Sequence, residues 1–411
     1  MKVLWVGDAP TVSTGFARCT RAACGALHAA GHQVAVLGIN ESGDSQADAS
    51  GWQLQQRYPY PIYVAQRRGK GDLFGAQRLA VLASDLQPDV IVLLQDPWNV
   101  DEYFDSLKEK GVEGIPVVGW LAVDAKNHPM SDELNQLAHI VTWTQFAIDE
   151  LRKGGYTGTS SIVPLGVDTS VFKPGDRNEA RLLICPPEVP MNAFIVGVVG
   201  RNQPRKRIDL AIAYFAEFIE RHNVPDAHLF LHIAATGEKA CDVRAVAAYY
   251  GSVLKNRIMM NVPSIGNELS EHTMAEVYRA FDVVLTTTQG EGWGLTTHEA
   301  MACGIPCIVP DWSALGEWPE DAVMKVPCTA TALSAPLNMF PYTIGGVPDR
   351  DETVRALWRM YAYKELRREF SERGLALTAR PSLQWSAIGE AFRLQLEAVI
   401  AGAAVTDEVM A

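Results

Sequence analysis

Short, continuous apolar runs that alternate with helical stretches constrain the fold of this chain more than any other feature. The runs 2–8 (KVLWVGD), 89–96 (DVIVLLQD) and 282–288 (DVVLTTT) lack the alternation of a half-exposed strand. Such strands are typical of a parallel sheet that helices cover on both faces. The pattern occupies the first 168 residues and restarts at residue 193. We therefore predict an α/β fold of two doubly wound, Rossmann-like domains, with the cleft between them as the ligand site.

Changes in composition divide the chain into four parts. We predict an N-terminal Rossmann-like domain over 1–172 and a linker or insertion over 173–192, which is rich in proline and charge. A C-terminal Rossmann-like domain is predicted over 193–380. The last part, 381–411, has helical apolar spacing after a proline.

The composition narrows the class of protein. The hydrophobic fraction of 48% suits globular domains, and no apolar run has the length of a membrane span. The N-terminus reads as a first strand and not as a secretory signal. The seven cysteines are scattered without zinc spacing, which favours reduced thiols and a cytoplasmic protein. The net charge of −12 is unfavourable for non-specific nucleic-acid binding.

The stretch QGEGWGLTTHEAMACG (289–304) predicts a glycine turn between a buried strand and a helix over Leu295–Cys303. Such a unit directs backbone N–H groups and the positive end of the helix at one point, which suits a phosphate. Glu291 lies in the turn and Glu299 in the first turn or so of the helix, so that both can face one ligand. The alternative is that Glu299 interacts with the helix dipole and Glu291 is a solvated loop charge. Trp293, between two glycines, is harder to explain in that way.

A second candidate site is the loop 200–209 (GRNQPRKRID) at the end of a strand. Four cations, Arg201, Arg205, Lys206 and Arg207, crowd this loop and repel one another unless an anion lies among them. A diphosphate is the natural anion for arginine forks and a lysine point charge. A solvated basic loop is the alternative.

Polar residues also follow strands of the first domain. Gly15 opens a helix and permits close backbone approach to a ligand. Asp96, Asp124 and His128 are candidates for contacting a substrate, with helix capping or solvation as the alternative. The chain has no Walker loop and no Gly-x-Gly-x-x-Gly after a strand. The one Asp-x-Asp, at 349–351, opens a helix, so that capping explains it better than a metal site does.

These motifs resemble those of the retaining GT-B glycosyltransferases of family 4. The specific matches are EGWGLTTHEAMACGIPCIVP (291–310), LGVDTSVFKP (165–174) and the loop from Gly200 to Lys206. The resemblance covers nearly the whole chain and implies a GT-B architecture. In such an architecture, the closing helix that contains Trp385 returns to the first domain.

The resemblance also implies an activity. A hexose would move, with retention, from a nucleoside-diphosphate sugar such as UDP-glucose to a hydroxyl acceptor. The transfer would need neither a metal nor a further cofactor. Arg201 and Lys206 would bind the diphosphate, Glu299 the ribose and Glu291 the donor sugar. The remaining donor-site residues by this resemblance are Gly15, Ile265, Gly292, Trp293, Gly294 and Leu295.

The acceptor side departs from the family. The usual His-Asp at a strand end is Val123-Asp124 here, so that Asp124 is the candidate for the acceptor-side role. The N-terminal motifs are similar to those of phage members, which suggests 5-hydroxymethylcytosine in DNA as acceptor. Arg67 and Arg68 would supply basic contacts and Trp98 a stacking surface. The alternatives are a saccharide or small-molecule acceptor, a phosphorylase or epimerase, and a non-catalytic nucleotide-sugar binder.

Overall fold

The chain divides into two compact units. Unit 1 comprises Met1–Val123, His128–Gly166 and Trp385–Ala411, and unit 2 comprises Asp124–Asn127 and Val167–Gln384. The computed structural model describes residues 1–40, 58–65, 72–128, 132–233, 240–261, 269–334 and 342–403.

Unit 1 contains a parallel sheet of seven strands among its described residues, in the order β3-β2-β1-β4-β5-β6-β7. This order, which reverses between β1 and β4, is that of a doubly wound sheet. The strands are β1 (Lys2–Asp8), β2 (Gln33–Ile39), β3 (Ile62–Val64), β4 (Val90–Gln95), β5 (Val117–Leu121), β6 (His139–Thr142) and β7 (Ser160–Ile162). The helices between them are α1 (Gly15–Ala29), α2 (Ala76–Leu86), α3 (Asp101–Lys110) and α4 (Gln145–Lys153), with 3₁₀ turns at Pro97–Asn99 and Asp132–Gln136.

Unit 2 contains a second seven-stranded sheet in the order β10-β9-β8-β11-β12-β13-β14, parallel except for the antiparallel pair β13–β14. The strands are β8 (Phe194–Val199), β9 (Ala227–His232), β10 (Ile258–Asn261), β11 (Val283–Leu285), β12 (Cys307–Asp311), β13 (Met324–Leu333) and β14 (Ile344–Pro348). The helices are α5 (Arg177–Ile184), α6 (Ile208–His222), α7 (Val243–Tyr249), α8 (Glu271–Arg279), α9 (Leu295–Ala302), α10 (Ser313–Glu317), α11 (Arg350–Ala362) and α12 (Lys364–Thr378), with 3₁₀ turns at Pro204–Lys206 and Pro381–Leu383.

The last helix, α13 (Trp385–Ile400), belongs to unit 1 and packs on α1. Gly389 of α13 permits this contact, because a Cβ at that position would lie 2.4 Å from the carbonyl oxygen of Ala22. Phe392 stacks on Trp120 of β5 with ring centroids 4.4 Å apart. The return of the closing helix to the first domain, which the resemblance implied, is therefore present.

Burial on both faces explains why the strands are apolar along their whole length. In β8, Ile195 packs in one hydrophobic cluster of unit 2, and the next residue, Val196, packs in the other. Successive side chains of a strand point to opposite faces, so that each face of this sheet has its own core. The predicted α/β class follows directly from this arrangement.

The segment 173–192, predicted as a linker or an insertion, lies inside unit 2 and contains α5. Asp176 caps this helix by accepting hydrogen bonds from the backbone N–H groups of Asn178 and Glu179. Arg181, only 4% exposed, donates to Asp282 Oδ2 at 2.8 Å and to the carbonyl oxygen of Ala280 at 3.0 Å. A buried ion pair of this kind fixes the segment to the domain that follows it.

Two further predictions concern the Asp-x-Asp at 349–351 and membrane-spanning segments. Asp349 caps α11 by accepting from the N–H of Glu352, which confirms capping as the role of the Asp-x-Asp. Within the described ranges, no helix combines the length and the apolar composition that crossing a membrane requires.

Candidate functional site

The loops after β8 and β11 meet at one edge of the sheet of unit 2. Strands β8 and β11 pair in parallel, so that their carboxyl ends lie side by side. Backbone and hydroxyl contacts join the loops: the N–H of Gln289 donates to the carbonyl oxygen of Arg205 at 2.6 Å, and Thr287 Oγ1 donates to that of Arg207 at 2.8 Å. The two stretches that the sequence singled out are therefore brought together.

Four charged residues form the centre of this site, which we call the charge cluster: Asp124, Arg205, Lys206 and Glu291. The Lys206 ammonium forms an ion pair with Glu291 Oε1. Arg205 Nη1 lies 3.3 Å from Glu291 Oε2 and donates to the carbonyl oxygen of Gly290 at 2.8 Å. Arg205 Nε lies 3.0 Å from Asp124 Oδ2. Three residues that were predicted as catalytic thus lie around Arg205, which was not predicted as catalytic: Asp124, Lys206 and Glu291.

Burial and charge act on the cluster in opposite directions. Burial favours the neutral form of Glu291, but the Lys206 and Arg205 charges outweigh it and hold the pKa of this carboxyl below its usual value. The pKa of Lys206 is lowered, first by burial and then by the neighbouring Arg205, while Glu291 opposes this shift. The side chains of Lys206 and Glu291 are only 14% and 13% exposed, so that each charge depends on the other.

Three of the four cations in the basic loop are paired with carboxylates. Arg205 and Lys206 have carboxylate partners in the cluster, and Arg207 pairs with Asp209, with Nε–Oδ1 at 3.0 Å and Nη2–Oδ2 at 2.9 Å. Repulsion among the loop cations therefore requires no bound anion, and that step of the sequence argument was wrong. The exposed Arg201 remains a candidate diphosphate contact.

The glycine turn before α9 has the predicted form. Gly294 has φ +92° and directly precedes the first helical residue, Leu295. A Cβ at Gly294 would lie 2.6 Å from Leu315 Cδ2, so that both the backbone conformation and the packing require glycine. The backbone from Gly292 to Leu295 leads into the amino end of α9, where N–H groups suit a phosphate.

Trp293 is anchored on both sides of this turn. Its Nε1 donates to His298 Nδ1 at 3.2 Å, and its carbonyl oxygen accepts from Trp318 Nε1 at 3.0 Å. The Trp293 and Trp318 ring centroids are 4.9 Å apart. The predicted donor-site residue Trp293 therefore holds the shape of the turn through its side chain.

His298 is fully buried and neutral. Because the Trp293 indole only donates, His298 Nδ1 must accept, and the ring proton lies on Nε2. Burial lowers the pKa of His298 to about 3. This histidine is thus a fixed hydrogen-bond acceptor for the tryptophan and not a proton-transfer group at neutral pH.

Glu299 lies near the start of α9 and is buried. It is the fifth residue of the helix, and the first turn contains no acidic residue. Its side chain is 5% exposed, and Oε2 accepts a hydrogen bond from the hydroxyl of Tyr278 at 2.8 Å. The hydrogen bond from Tyr278 contradicts the alternative of a carboxylate that merely interacts with the helix dipole.

The candidates in unit 1 lie at strand ends. Gly15 begins α1, and Thr14 caps this helix by accepting from the N–H of Ala17 while its hydroxyl donates to Asp8. Asp96 follows β4 and precedes the 3₁₀ turn 97–99. In that turn, the Trp98 ring lies edge-on to Phe74, with centroids 5.7 Å apart.

His128, where unit 1 resumes, is half-buried. Three predicted contacts, Arg67, Arg68 and Ile265, lie outside the described residues. Within the described ranges, no group of three or more His, Cys, Asp or Glu side chains is placed to hold a metal ion.

Comparison with known proteins finds a family whose model is similar to a segment of unit 2. Residues 193–335 match the family described as "Glycosyl transferases group 1". The similarity is to group 1 glycosyl transferases. D-inositol 3-phosphate glycosyltransferase from Acidothermus cellulolyticus is 30% identical over 172 residues, which are 41% of this chain and 36% of that protein. The match thus spans about a third of the length of this curated relative.

Two solved structures resemble the chain over nearly its whole length. Sucrose-phosphate synthase from Thermosynechococcus elongatus has a TM-score of 0.73 at 16% identity, with 98% of this chain and 100% of that chain covered. Anabaena HepE in complex with UDP-glucose has a TM-score of 0.67 at 16% identity, with 97% and 100% covered. At such identity the likeness shows the fold, and the predicted two-domain α/β GT-B class is confirmed.

The residues of unit 2 that the sequence prediction missed act on the predicted ones. Arg205 holds Glu291, His298 holds Trp293, and Tyr278 holds Glu299. Arg205 was recognised only as one of four cations. Tyr278 carries no local signal, because it lies 21 positions from its partner on a different helix.

Proposed function

We propose that this protein is a retaining glycosyltransferase that moves a hexose from a nucleoside-diphosphate sugar, with UDP-glucose favoured, to a hydroxyl acceptor. The observation that carries the proposal is the charge cluster. It couples Glu291 to Lys206 and Arg205 beside the amino end of α9, in a segment that matches group 1 glycosyl transferases.

The cluster suits departure of a nucleoside diphosphate. In the transfer, the bond from the sugar C1 to the phosphate oxygen breaks, the acceptor oxygen bonds to C1, and the acceptor proton passes to the departing phosphate. Negative charge on that phosphate is the largest catalytic demand. Lys206, Arg201 and the backbone N–H groups that begin α9 supply positive potential for it, without a step that depends on a metal ion.

In this proposal, Glu291 orients the hydroxyl groups of the donor sugar. The charges of Asp124, Arg205, Lys206 and Glu291 sum to zero, so that the cluster is stable before the donor binds. A carboxylate that is held by two cations keeps one orientation, and a fixed carboxylate orients sugar hydroxyls well. Asp124 is proposed to stand on the acceptor side, as the sequence predicted.

The names of the relatives favour a phosphorylated polyol or sugar as the acceptor. Several curated relatives are D-inositol 3-phosphate glycosyltransferases, and one structural neighbour is a sucrose-phosphate synthase. None of these names supports the predicted 5-hydroxymethylcytosine in DNA, and the net charge of −12 is unfavourable for that acceptor. We therefore rank the sugar-phosphate class first and retain the modified DNA base as a tested alternative.

The test is release of nucleoside diphosphate from UDP-glucose, GDP-mannose and ADP-glucose, each with inositol 3-phosphate, glucose 6-phosphate, or DNA that contains 5-hydroxymethylcytosine. Product mass identifies the acceptor. Glu291→Gln should abolish release, and the matched variant Glu365→Gln, in an exposed surface pair with Arg368, should not. If a donor binds but no donor and acceptor pair releases nucleoside diphosphate, the protein is instead a non-catalytic nucleotide-sugar binder.

A further inference from the structure

A buried hydrogen bond joins two helices behind the proposed donor site. Tyr278 of α8 is fully buried, Glu299 of α9 is 5% exposed, and the Tyr278 hydroxyl donates to Glu299 Oε2 at 2.8 Å. A buried carboxylate is costly unless its oxygens are hydrogen-bonded. Tyr278 therefore makes an interior position for Glu299 possible.

The Tyr278 ring itself has little freedom. It packs edge-on against Phe172 and Phe281, with centroid distances of 6.2 and 6.4 Å. A ring fixed by packing directs its hydroxyl along one line, so that the hydrogen bond sets the rotation of the Glu299 carboxylate. The pair is thus an orienting device as well as a buried polar contact.

We propose that Tyr278 is a positioning residue that orients Glu299 for the two neighbouring hydroxyls of a ribose. The resulting site selects ribonucleoside over 2′-deoxyribonucleoside diphosphates. This inference rests on the proposed function, which gives Glu299 its ribose contact. A carboxylate offers about four lone-pair positions, and a cis-diol matches the carboxylate only at a fixed rotation.

When a ligand lacks one ribose hydroxyl, the buried carboxylate of Glu299 loses a hydrogen bond from that ligand. Sites built to bind a hydroxyl reject ligands that lack it, because their buried polar groups are left unpaired. Without Tyr278, the carboxylate rotates and binds either sugar less selectively. The variant should therefore lose discrimination, and not merely affinity.

The test is calorimetric binding to the full chain of UDP, GDP and ADP, each compared with its 2′-deoxy form. Wild type should bind the best of these ribonucleotides on the order of tenfold to a hundredfold more tightly than its deoxy form. Tyr278→Phe should weaken binding of the ribonucleotide by about tenfold and of the deoxy form by less than about threefold, so that the ratio falls.

Tyr361→Phe is the matched control, since the Tyr361 hydroxyl also donates to a carboxylate of unit 2, Asp226 Oδ1, at 2.7 Å. It should leave the ratio at its wild-type value, even if its thermal stability falls. If wild type is selective and Tyr278→Phe keeps the same ratio of ribonucleotide to deoxyribonucleotide affinity, the role of Tyr278 is overturned, but the ribose contact of Glu299 is not. Equal binding of both sugars by wild type would refute the ribose contact of Glu299 and this inference with it. Failure of all three nucleotides to bind would refute the proposed function itself.

Discussion

Arg205 lies between two carboxylates that are far apart in the sequence. Its Nε is 3.0 Å from Asp124 Oδ2, and its Nη1 is 3.3 Å from Glu291 Oε2. Asp124 is the first residue of the short segment Asp124–Asn127, whose Lys126 exchanges backbone hydrogen bonds with Ile344 of β14. One planar guanidinium thus fixes the position of both acids that the sequence placed in catalysis.

Replacement of Arg205 by lysine should separate these two carboxylates in function. A lysine is a point charge that cannot reach both acids at once, whereas the arginine fork does so in one plane. We expect Arg205→Lys to lower kcat/KM for nucleoside diphosphate release by about tenfold, and nucleotide affinity by less than about threefold. Steady-state kinetics and calorimetry check the two quantities.

Arg221→Lys is the matched control for this change. Arg221 also contacts two carboxylates, Glu217 and Asp351, but on the surface of unit 2 away from the charge cluster. Its activity should equal that of wild type. Equal losses in both variants would mean that Arg205 acts only through general stability.

Glu291 should determine the pH at which Lys206 loses its charge. Burial and Arg205 lower the pKa of Lys206, and Glu291 raises it. Removal of the carboxylate in Glu291→Gln therefore lowers the pKa of Lys206 further. If Lys206 binds the diphosphate, UDP affinity should decline at a lower pH in the variant than in wild type.

Calorimetric Kd values from pH 7 upward measure this decline without dependence on turnover. The surface variant Glu365→Gln should keep the wild-type midpoint. An identical midpoint in Glu291→Gln would show that the Lys206 charge does not support diphosphate binding.

Periodicity allowed prediction of the elements that are buried on both faces. The strand at 2–8 was predicted with the bounds it has, and the strand at 89–96 to within one residue at each end, because both runs are apolar and almost wholly buried. The pair β13–β14 was missed. Much of β13 is exposed, with alternating threonine and alanine, so that it lacks the continuous apolar run of the other strands.

Prediction of the site was limited in a different way. Motif positions identified Glu291, Glu299 and Lys206, because strand–turn–helix order places them at one sheet edge. Their partners depend on packing between segments that are distant in sequence. Arg205 and Asp124 are 81 positions apart, and pattern alone does not indicate that they meet. The pairing of the basic loop with Asp124 and Glu291 was hidden for the same reason, whereas Asp209 lies only two positions from its partner Arg207.

His298 should make the protein sensitive to acid. The pKa of His298 is about 3 in the folded chain, against 6.5 for an ordinary histidine, so that the unfolded state binds a proton that the folded state rejects. The stability from this group is complete above pH 6.5 and is lost as the pH falls towards 3. Between pH 6.5 and about 4.5 the loss amounts to about 2 kcal/mol.

His298→Gln removes this titration while Gln keeps an acceptor for the Trp293 indole. Thermal unfolding from pH 7 to about 4.5 should show a shallower decline of Tm in the variant than in wild type. His232, with a pKa of about 4 that burial lowers, should leave part of the decline in place. Parallel curves for the two proteins would contradict the buried, neutral state of His298.

Replacement of each of two glycines by alanine should change the stability in opposite directions. A Cβ at Gly197 of β8 would lie 2.1 Å from Cδ2 of the Phe281 ring, inside the core of unit 2. Overpacking of this kind costs about 1–3 kcal/mol, so that Gly197→Ala should lower Tm. Gly25 lies within α1, where a Cβ meets nothing within 4 Å, and alanine there should stabilise by about 0.5–1 kcal/mol. Calorimetric Tm values of both variants, with far-ultraviolet spectra as a check on folding, should therefore lie on either side of wild type. A Gly197→Ala protein as stable as wild type would mean that Phe281 moves without loss of packing, contrary to the close contact of β8 with that ring.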